Sequence, residues 1–395
     1  MITSLREAFN RAFTDEKYQQ LLGFFRVKYN YAPTFRICES PVFFTEQFKN
    51  YVNEALEKII DVIVQPDFKE RSAGAIPAEF NVPNENAHPD FLVIDFGVCE
   101  ENGELVPKLI ELQGFPSLYF FQLDLVRAYQ SAFNIPTHLT ALFNGLTSES
   151  YLQHLHQLII GGASEEETIL LEIEPEKQNT YIDFLATQHY IGTPIVCITK
   201  LFSEGDTLFY NNSEGKKIRV KRIYNRVIFD ELAKREDLKL QFDFKKPYDV
   251  HWVGHPNWFF RISKYTMPFL KNRFVPKTFF LNEVEPSILS SLQNYVLKPL
   301  FSFSGQGVKI DVTPSDIEAI LDPENYILQE KVTYAEVLET PSGTAKVELR
   351  MLLTWEHGAA RPKLVNNLVR VSKGKMIGVR YNKDKDWVGG SVGLF

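Results

Sequence analysis

The sequence predicts an α+β protein with an α/β domain in its middle third, and three observations support this class. The chain has 395 residues, a length that suggests two or three domains rather than one. Hydrophobic residues make up 44% of it, which is enough for a sizeable core and too many for a disordered chain. Strand and helix patterns follow a βαβ order between residues 135 and 250. The predicted domains are therefore 1–134, 135–250 and 251–395.

Composition excludes several classes of function. Lys and Arg number 43 and Asp and Glu number 50, so the net charge is −7, whereas a general nucleic-acid binder would carry a basic surface. Cys38, Cys99 and Cys197 are far apart and odd in number, which predicts neither a disulfide framework nor a zinc site. The first residues lack the pattern of a secretory signal, and apolar runs such as Ile59–Val64 are too short to span a membrane. We expect a cytoplasmic protein without nucleic-acid or membrane partners.

The N-terminal region is predicted to hold a long helix and a β-hairpin. Apolar residues recur at helical spacing over Thr45–Ile63. An apolar run at 91–96 and a second segment at 109–113 flank a turn, a pattern typical of a hairpin. Because side chains alternate along a strand, Asp95 and Glu111 can face the same site.

The middle region is predicted to be a small open α/β domain. Its strand–helix–strand pattern runs from a strand at 168–173 through a helix over Lys177–His189 to a strand at 194–199. No G-x-G-x-x-G motif follows a strand here, which disfavours a dinucleotide-dependent enzyme.

The C-terminal region is predicted to be α+β. It has a helix over Ser263–Asn272 and two strands, 295–299 and 308–312, that flank a loop of small residues. Further strands are expected at 347–355 and 363–371.

The loop after residue 299 carries the clearest chemical signal. Lys298 leaves the first strand, and Gly305 and Gly307 lie in the loop that follows. The ammonium group supplies charge, and the glycines let backbone N–H groups close over phosphate oxygens. This phosphate clamp is not a Walker loop, since no G-x-x-x-x-G-K-[ST] is present. Taken alone, the segment is equally compatible with an ordinary hairpin that has glycine at its turn.

The motifs around this loop resemble the ATP-grasp superfamily. Segment 295–308 resembles its strand–loop–strand, and 261–270 resembles its helix with a nucleotide-facing lysine. The other matches, in chain order, are the V-P-x-T strand (275–280), the hinge strand that binds adenine through its backbone (327–332), the acidic-x-Arg strand (348–350), the Arg strand (367–372) and the N…GG turn from Asn382 to Gly390.

The order of these motifs resembles that of circularly permuted ATP-grasp ligases such as glutathionylspermidine synthetase. Those proteins carry a D-F strand followed by E-x-N-x-x-P-[ST] as metal ligands, and here the corresponding residues lie far upstream, at Asp95 and at 111–117. The resemblance covers residues 85–125 and 251–395. It implies that the Asp95–Gln113 hairpin joins the same sheet as Arg350 and Arg370, with the Gly389–Gly390 turn nearby.

The resemblance implies a set of site residues and two cofactors, ATP and Mg²⁺. The implied residues are Lys264, Lys298, Ser304, Gly305, Gln306, Gly307, Gln329, Glu330, Lys331 and Val332 for ATP, Asp95, Glu111 and Gln113 for Mg²⁺, and Arg350 and Arg370 for the transferred phosphate. Two positions depart from the family pattern. Gln113 replaces the metal-binding asparagine, and Val93 replaces a basic residue.

The function that the resemblance implies is ATP-dependent ligation of a carboxylate to an amine or a thiol through an acyl phosphate. The substrates would be small carboxylates and amines, and could be peptide-like. An alternative is a nucleotide-binding, catalytically weak protein with a regulatory or scaffold role, which the two departures favour. Candidates for contacts to the substrate are Tyr31, Arg36, Glu39 and Arg71, whose arginines could equally form structural salt bridges.

Overall fold

The computed structural model describes residues 1–302, 305–374, 377–378, 382 and 384–395. Within them the α-helices are α1 (Thr3–Ala12), α2 (Asp15–Tyr29), α3 (Glu46–Ile63), α4 (Phe68–Arg71), α5 (Tyr119–Ala132), α6 (Ser148–Ile159), α7 (Tyr181–Ile191), α8 (Phe229–Leu232), α9 (Pro256–Arg261), α10 (Pro286–Leu289) and α11 (Pro314–Glu318). None of these described helices combines the length and the apolar character that crossing a membrane requires.

The strands of the same residues form several sheets. They are β1 (Val42–Phe43), β2 (Phe91–Glu101), β3 (Glu104–Gln113), β4 (Thr168–Glu172), β5 (Ile195–Cys197), β6 (Phe202–Glu204), β7 (Thr207–Asn211), β8 (Lys217–Val220), β9 (Arg222–Asn225), β10 (His251–Val253), β11 (Thr278–Phe280), β12 (Tyr295–Pro299), β13 (Tyr326–Glu330), β14 (Leu338–Thr340), β15 (Gly343–Thr354), β16 (Lys363–Ser372), β17 (Gly389–Ser391) and β18 (Gly393–Leu394).

The largest sheet has six strands and is built from distant parts of the chain. Its order is β17-β16-β15-β2-β3, and β14 pairs with β15. The predicted hairpin is confirmed as β2 and β3, joined at Asn102 and Gly103, which both have positive φ angles (53° and 81°) as a tight hairpin turn requires. Strand β2 pairs antiparallel with β15, so the hairpin does join the sheet of Arg350 and Arg370. The Gly389–Gly390 segment forms β17 beside β16.

Helix α3 covers one face of this sheet. Thr45 caps its N-terminus by accepting a hydrogen bond from the Phe48 amide, so the predicted helix is confirmed. The apolar stripe of α3 packs with Ile94 and Met351, which point to that face. On the opposite face, one end of the sheet packs against α5, and the other end carries the charged residues of the candidate site. The aromatic Tyr119 at the start of α5 lies in that second apolar cluster.

The middle region forms a four-stranded parallel sheet in the order β10-β9-β4-β5. Strands β4 and β5 are parallel and are connected through α7, which confirms the predicted βαβ unit. Helix α7 begins at Tyr181 rather than at the predicted Lys177, because Pro175–Lys177 form a separate 3-10 turn. Strands β7 and β8 form an antiparallel hairpin in the same region.

A small antiparallel sheet, β11-β13-β12, carries Lys298. Two predicted elements near it are wrong. The strand expected at 308–312 makes only one bridge, between Leu297 and Lys309. The helix expected over Ser263–Asn272 is a 3-10 helix, Lys264–Phe269, with Pro268 inside it. A proline lacks an N–H group and cannot continue α-helical hydrogen bonding.

Candidate functional site

One face of the six-stranded sheet presents a patch of charged side chains. Asp95 on β2 lies opposite Arg350 on β15 and opposite Glu111 on β3. Two residues before Arg350, Glu348 lies opposite Arg370 on β16. Because side chains two residues apart point to the same face of a strand, all five meet on one side of the sheet. This set is called the charged centre below.

Asp95 is the core of the charged centre and is only 1% exposed. Arg350 donates to both of its oxygens, from Nε to Oδ1 at 2.7 Å and from Nη2 to Oδ2 at 2.6 Å. Arg370 donates from Nη2 to the same Oδ2 at 2.5 Å. The Asp95 carboxylate therefore accepts one bidentate and one further charge-assisted bond, the strongest arrangement available to it.

Glu348 connects the charged centre to Tyr334, which lies in the coil between β13 and β14. It is 3% exposed and accepts from Arg370 through Oε1 and from the Tyr334 hydroxyl through Oε2 at 2.8 Å. Burial raises the pKa of Glu348, and the positive charge of Arg370 opposes that effect. Burial also raises the pKa of Tyr334 well above its usual value, with the Glu348 carboxylate adding to the rise. The tyrosine is thus held as a hydrogen-bond donor.

Glu111 lies at the more open edge of the charged centre. Its Oε1 atom is 3.7 Å from Arg350 Nη2 and 4.0 Å from Arg370 Nη2, and accepts from Gln113 Nε2 at 3.0 Å. Burial raises the pKa of this carboxyl, but the cations around it, led by Lys264, outweigh burial and lower it to about 2. Glu111 is therefore ionised at neutral pH.

Lys298 reaches the centre from the small sheet. Strand β3 has a bulge at this point, since Asp95 pairs with Glu111 and the next residue of β2 pairs with Leu109. The bulge leaves the carbonyl of Ile110 to accept from Lys298 Nζ at 3.1 Å. Burial lowers the pKa of Lys298 to about 8, although the Glu111 carboxylate acts in the opposite direction. Lys298, predicted to hold phosphate, and Glu111, predicted to bind the metal, therefore lie in the same site.

Lys264 is the second lysine whose charge acts on the Glu111 carboxylate. It is 7% exposed, and its Nζ donates to the Ser302 carbonyl at 2.9 Å. Burial lowers its pKa, while Glu111 and Asp230 raise it. The sequence prediction placed this lysine on an α-helix, and it lies at the start of a 3-10 helix instead.

The glycine loop follows Lys298 as expected. Gly305 and Gly307 both have φ of 72°, and a Cβ on Gly307 would lie 2.7 Å from the Pro299 ring. Gln306 accepts a hydrogen bond from Lys234 at 3.3 Å, which ties the loop to the segment after α8. Ser304, the remaining loop residue of the predicted ATP set, lies outside the described residues.

The predicted hinge strand lies next to the charged centre. Gln329 is 2% exposed and donates to the Leu109 carbonyl at 3.2 Å. The amides of Glu330 and Lys331 donate to the carbonyls of Lys277 and Asn294, both at 2.8 Å. Val332 follows in a half-buried coil, and its predicted contact with adenine stays a prediction.

The candidate substrate residues of the N-terminal region lie in three different surroundings. Arg36 forms an ion pair with Glu39, and its carbonyl accepts from the Gly390 amide at 2.9 Å. Since Gly390 pairs with Arg370, this loop borders the charged centre. Tyr31 contacts Tyr181 edge-on, with ring centroids 5.3 Å apart. Arg71 pairs with Asp67 on its own helix segment.

The predicted Mg²⁺ ligands have suitable chemistry, because magnesium prefers carboxylate and amide oxygens. Among the described residues, all contacts of Glu111 in the charged centre use Oε1, and Gln113 uses its Nε2, so an oxygen of each remains for a metal. Asp95 differs, since both of its oxygens accept from arginine. The described residues contain no cluster of three His, Cys, Asp or Glu side chains suited to a metal. The donor chemistry of Glu111 and Gln113 is compatible with the ion, and metal binding by all three residues stays a prediction.

Sequence reasoning missed Tyr334, and it gave no individual role to Ser117 and Glu348, which lie inside the family-like motifs. Tyr334 lies in a coil without periodicity, and only tertiary packing brings its hydroxyl to Glu348. Ser117 accepts from Arg350 Nη1 at 3.3 Å. Glu348 could have been identified as a site residue, because it alternates with Arg350 on one strand. The family basic residue at position 93 is a valine that is fully buried in the apolar cluster beside α5.

Comparison with known proteins finds a likeness in structure and none in sequence. No protein-family model and no curated protein matches the chain. The structure is similar to that of a glutathione synthetase-like effector from Globodera pallida, solved in its apo form. The TM-score is 0.55 at 11% sequence identity, and the match covers 90% of this chain and 93% of that one. The chain therefore has a mixed α/β fold like that of a glutathione synthetase-like protein.

Proposed function

We propose that the chain is an ATP-dependent ligase of the circularly permuted ATP-grasp type, acting on small carboxylates and amines or thiols. The observation that carries the proposal is the charged centre, where Arg350 and Arg370 meet Asp95 and Glu111 within reach of Lys298. The carboxylates and the lysine are separated by almost 200 residues in the chain. The likeness to a glutathione synthetase-like fold supports the same class.

The chemistry would proceed in two displacements. A substrate carboxylate oxygen attacks the γ-phosphorus of ATP, the bond to the bridging oxygen breaks, and ADP leaves. The amine nitrogen then attacks the acyl carbon of the acyl phosphate, phosphate leaves, and the nitrogen loses a proton. Both steps depend on positioning and on neutralising phosphate charge.

The residues of the chain divide this work. Lys298 and Lys264 are placed to hold phosphate oxygens, and Arg350 and Arg370 to stabilise the charge that moves between donor and acceptor. Arg370 has a buried Nε that finds no hydrogen-bond partner among the described residues, which is a donor available to a ligand. Mg²⁺, when bound through Glu111 and Gln113, would neutralise further phosphate charge.

The test is ADP release in the presence of Mg-ATP with a panel of amino acids, γ-glutamyl peptides and polyamines. We expect ADP to form only when a carboxylate and an amine are both present. We expect Glu111→Gln to remove this turnover and Glu100→Gln, an exposed residue of β2, to preserve it. Absence of ADP with every pair, in a protein that binds Mg-ATP, would favour the second candidate.

That second candidate is a nucleotide-binding protein with weak or no turnover. It is favoured by Gln113, whose amide donates to Glu111, and by the engagement of both Asp95 oxygens by arginine. Both features reduce the number of carboxylate oxygens that are open to a metal. The ADP assay and a binding titration together separate the two candidates.

A further inference from the structure

The charged centre is arranged to receive an anion before a cation. We propose that Arg350 and Arg370 close Asp95 against metal ions, so that nucleotide phosphates bind first and Mg²⁺ binds only afterwards. This inference rests on the proposed function, because it concerns the order in which the same site is filled. The three residues are called the arginine clamp below.

The first argument is the local charge. Four cations, Lys264, Lys298, Arg350 and Arg370, face the carboxylates of Asp95, Glu111 and Glu348, and a fourth carboxylate, Asp230, faces Lys264. The charges of these described residues balance, so the centre has no excess of negative charge with which to bind a divalent cation. In a partly buried centre the repulsion between a metal ion and these four cations is screened less than it would be in water.

The second argument is the geometry of the clamp. Asp95 is nine-tenths buried or more, and its two oxygens accept three hydrogen bonds at 2.5–2.7 Å. A metal that took these oxygens would deprive Arg350 of its bidentate carboxylate and leave Arg370 with Glu348 alone, beside a divalent ion. Removing one partner from a buried ion pair is strongly unfavourable.

The third argument is what phosphates change. A triphosphate offers the guanidinium groups new anionic oxygens, which arginine binds in the same planar geometry as a carboxylate. Arg370 is the partner more accessible to a ligand, because its side chain is 33% exposed against 11% for Arg350. Its buried Nε has no partner in the described part of the chain, which gives it one donor that the clamp does not use. Phosphate binding can therefore open the clamp without losing charge pairing.

Two binding measurements on the full-length chain test this order. Mn²⁺ alone is titrated by electron paramagnetic resonance, and the non-hydrolysable analogue AMP-PNP is titrated by calorimetry in EDTA and in excess Mn²⁺. We expect AMP-PNP to bind in EDTA. We expect Mn²⁺ alone to bind at least about 100-fold more weakly than in the presence of the analogue, as the loss of a buried ion pair implies.

Variants locate the effect. Arg370→Gln should let Mn²⁺ bind without nucleotide at least about 10-fold more tightly than wild type, because one guanidinium is removed from Asp95. Adding Glu111→Gln should abolish that gain. If Arg370→Gln does not fold, Arg350→Gln provides the same test, since it also opens the clamp.

The outcomes distinguish a failure of the binding order from a failure of the proposed function. Two results would overturn the binding order and leave the proposed function intact. One is tight, stoichiometric binding of Mn²⁺ to the nucleotide-free wild type that Glu111→Gln abolishes. The other is AMP-PNP binding that requires the metal. AMP-PNP that binds neither in EDTA nor with Mn²⁺ would instead refute the proposed function.

Discussion

Replacing Glu111 by glutamine should remove a measurable part of the stability of the protein in a pH-dependent way. Glu111 faces Lys264, Arg370, Arg350 and Lys298, and after the opposing effect of burial these cations lower its pKa from 4.5 to about 2. A pKa lowered in the folded state stabilises that state above the unfolded pKa. The difference corresponds to about 3 kcal/mol of unfolding free energy at pH 7.

The sign of the pH dependence follows from the same values. The stabilisation by Glu111 is fully present above about pH 5 and is lost as pH falls through 2, with about 1 kcal/mol left at pH 3. Urea unfolding of wild type and Glu111→Gln in metal-free buffer should therefore differ by about 3 kcal/mol at pH 7 and by much less at pH 3. Glu100→Gln, exposed on the same hairpin, is the control and should match wild type. A Glu111→Gln variant as stable as wild type at both pH values would refute the electrostatic reasoning.

Three further predictions each concern the replacement of one residue. Gly114→Ala should destabilise the protein by about 1–3 kcal/mol, because its Cβ would lie 2.3 Å from the Trp258 carbonyl oxygen. Gly162→Ala has open space around the added methyl group and should not destabilise the protein. Thermal unfolding compares the two variants, and equal midpoints would contradict this packing. Asp183→Asn should cost about 3 kcal/mol in urea unfolding, since Asp183 pairs with the buried Arg226 at 2.6 Å and accepts from the Phe120 and Phe121 amides, and a loss under 1 kcal/mol would contradict this role. Asp95→Asn should reduce ADP release at least about 100-fold, and wild-type kcat in this variant would exclude Asp95 from the chemistry.

The parts of the fold that were predicted correctly have local signals. The hairpin was identifiable because two strand-like segments flank Asn102 and Gly103, residues that suit a tight turn. The placement of Asp95 and Glu111 on one face follows from strand alternation. The pairing of β2 with β15 has no local signal and was predicted from the order of family-like motifs.

The parts that were missed depend on tertiary contacts or on competing local chemistry. The segment 308–312 has strand-like residues but is bridged to β12 at one position only, Leu297 with Lys309. Tyr334 joins the site from a coil, which no periodicity predicts. The arginine clamp was missed because spacing indicates which face a residue occupies and not which partner neutralises it. The predicted domain boundaries at 134 and 250 stay predictions.

The most direct test of the central claim is a calorimetric titration of the protein with Mg-ATP, compared with Lys298→Met. The claim is that the charged centre and the small sheet together form a nucleotide site. We expect one saturable site in wild type, at least about 10-fold weaker binding in Lys298→Met, and a rise in the wild-type unfolding temperature with nucleotide concentration. Wild-type protein that neither binds nor is stabilised by millimolar Mg-ATP would contradict the account.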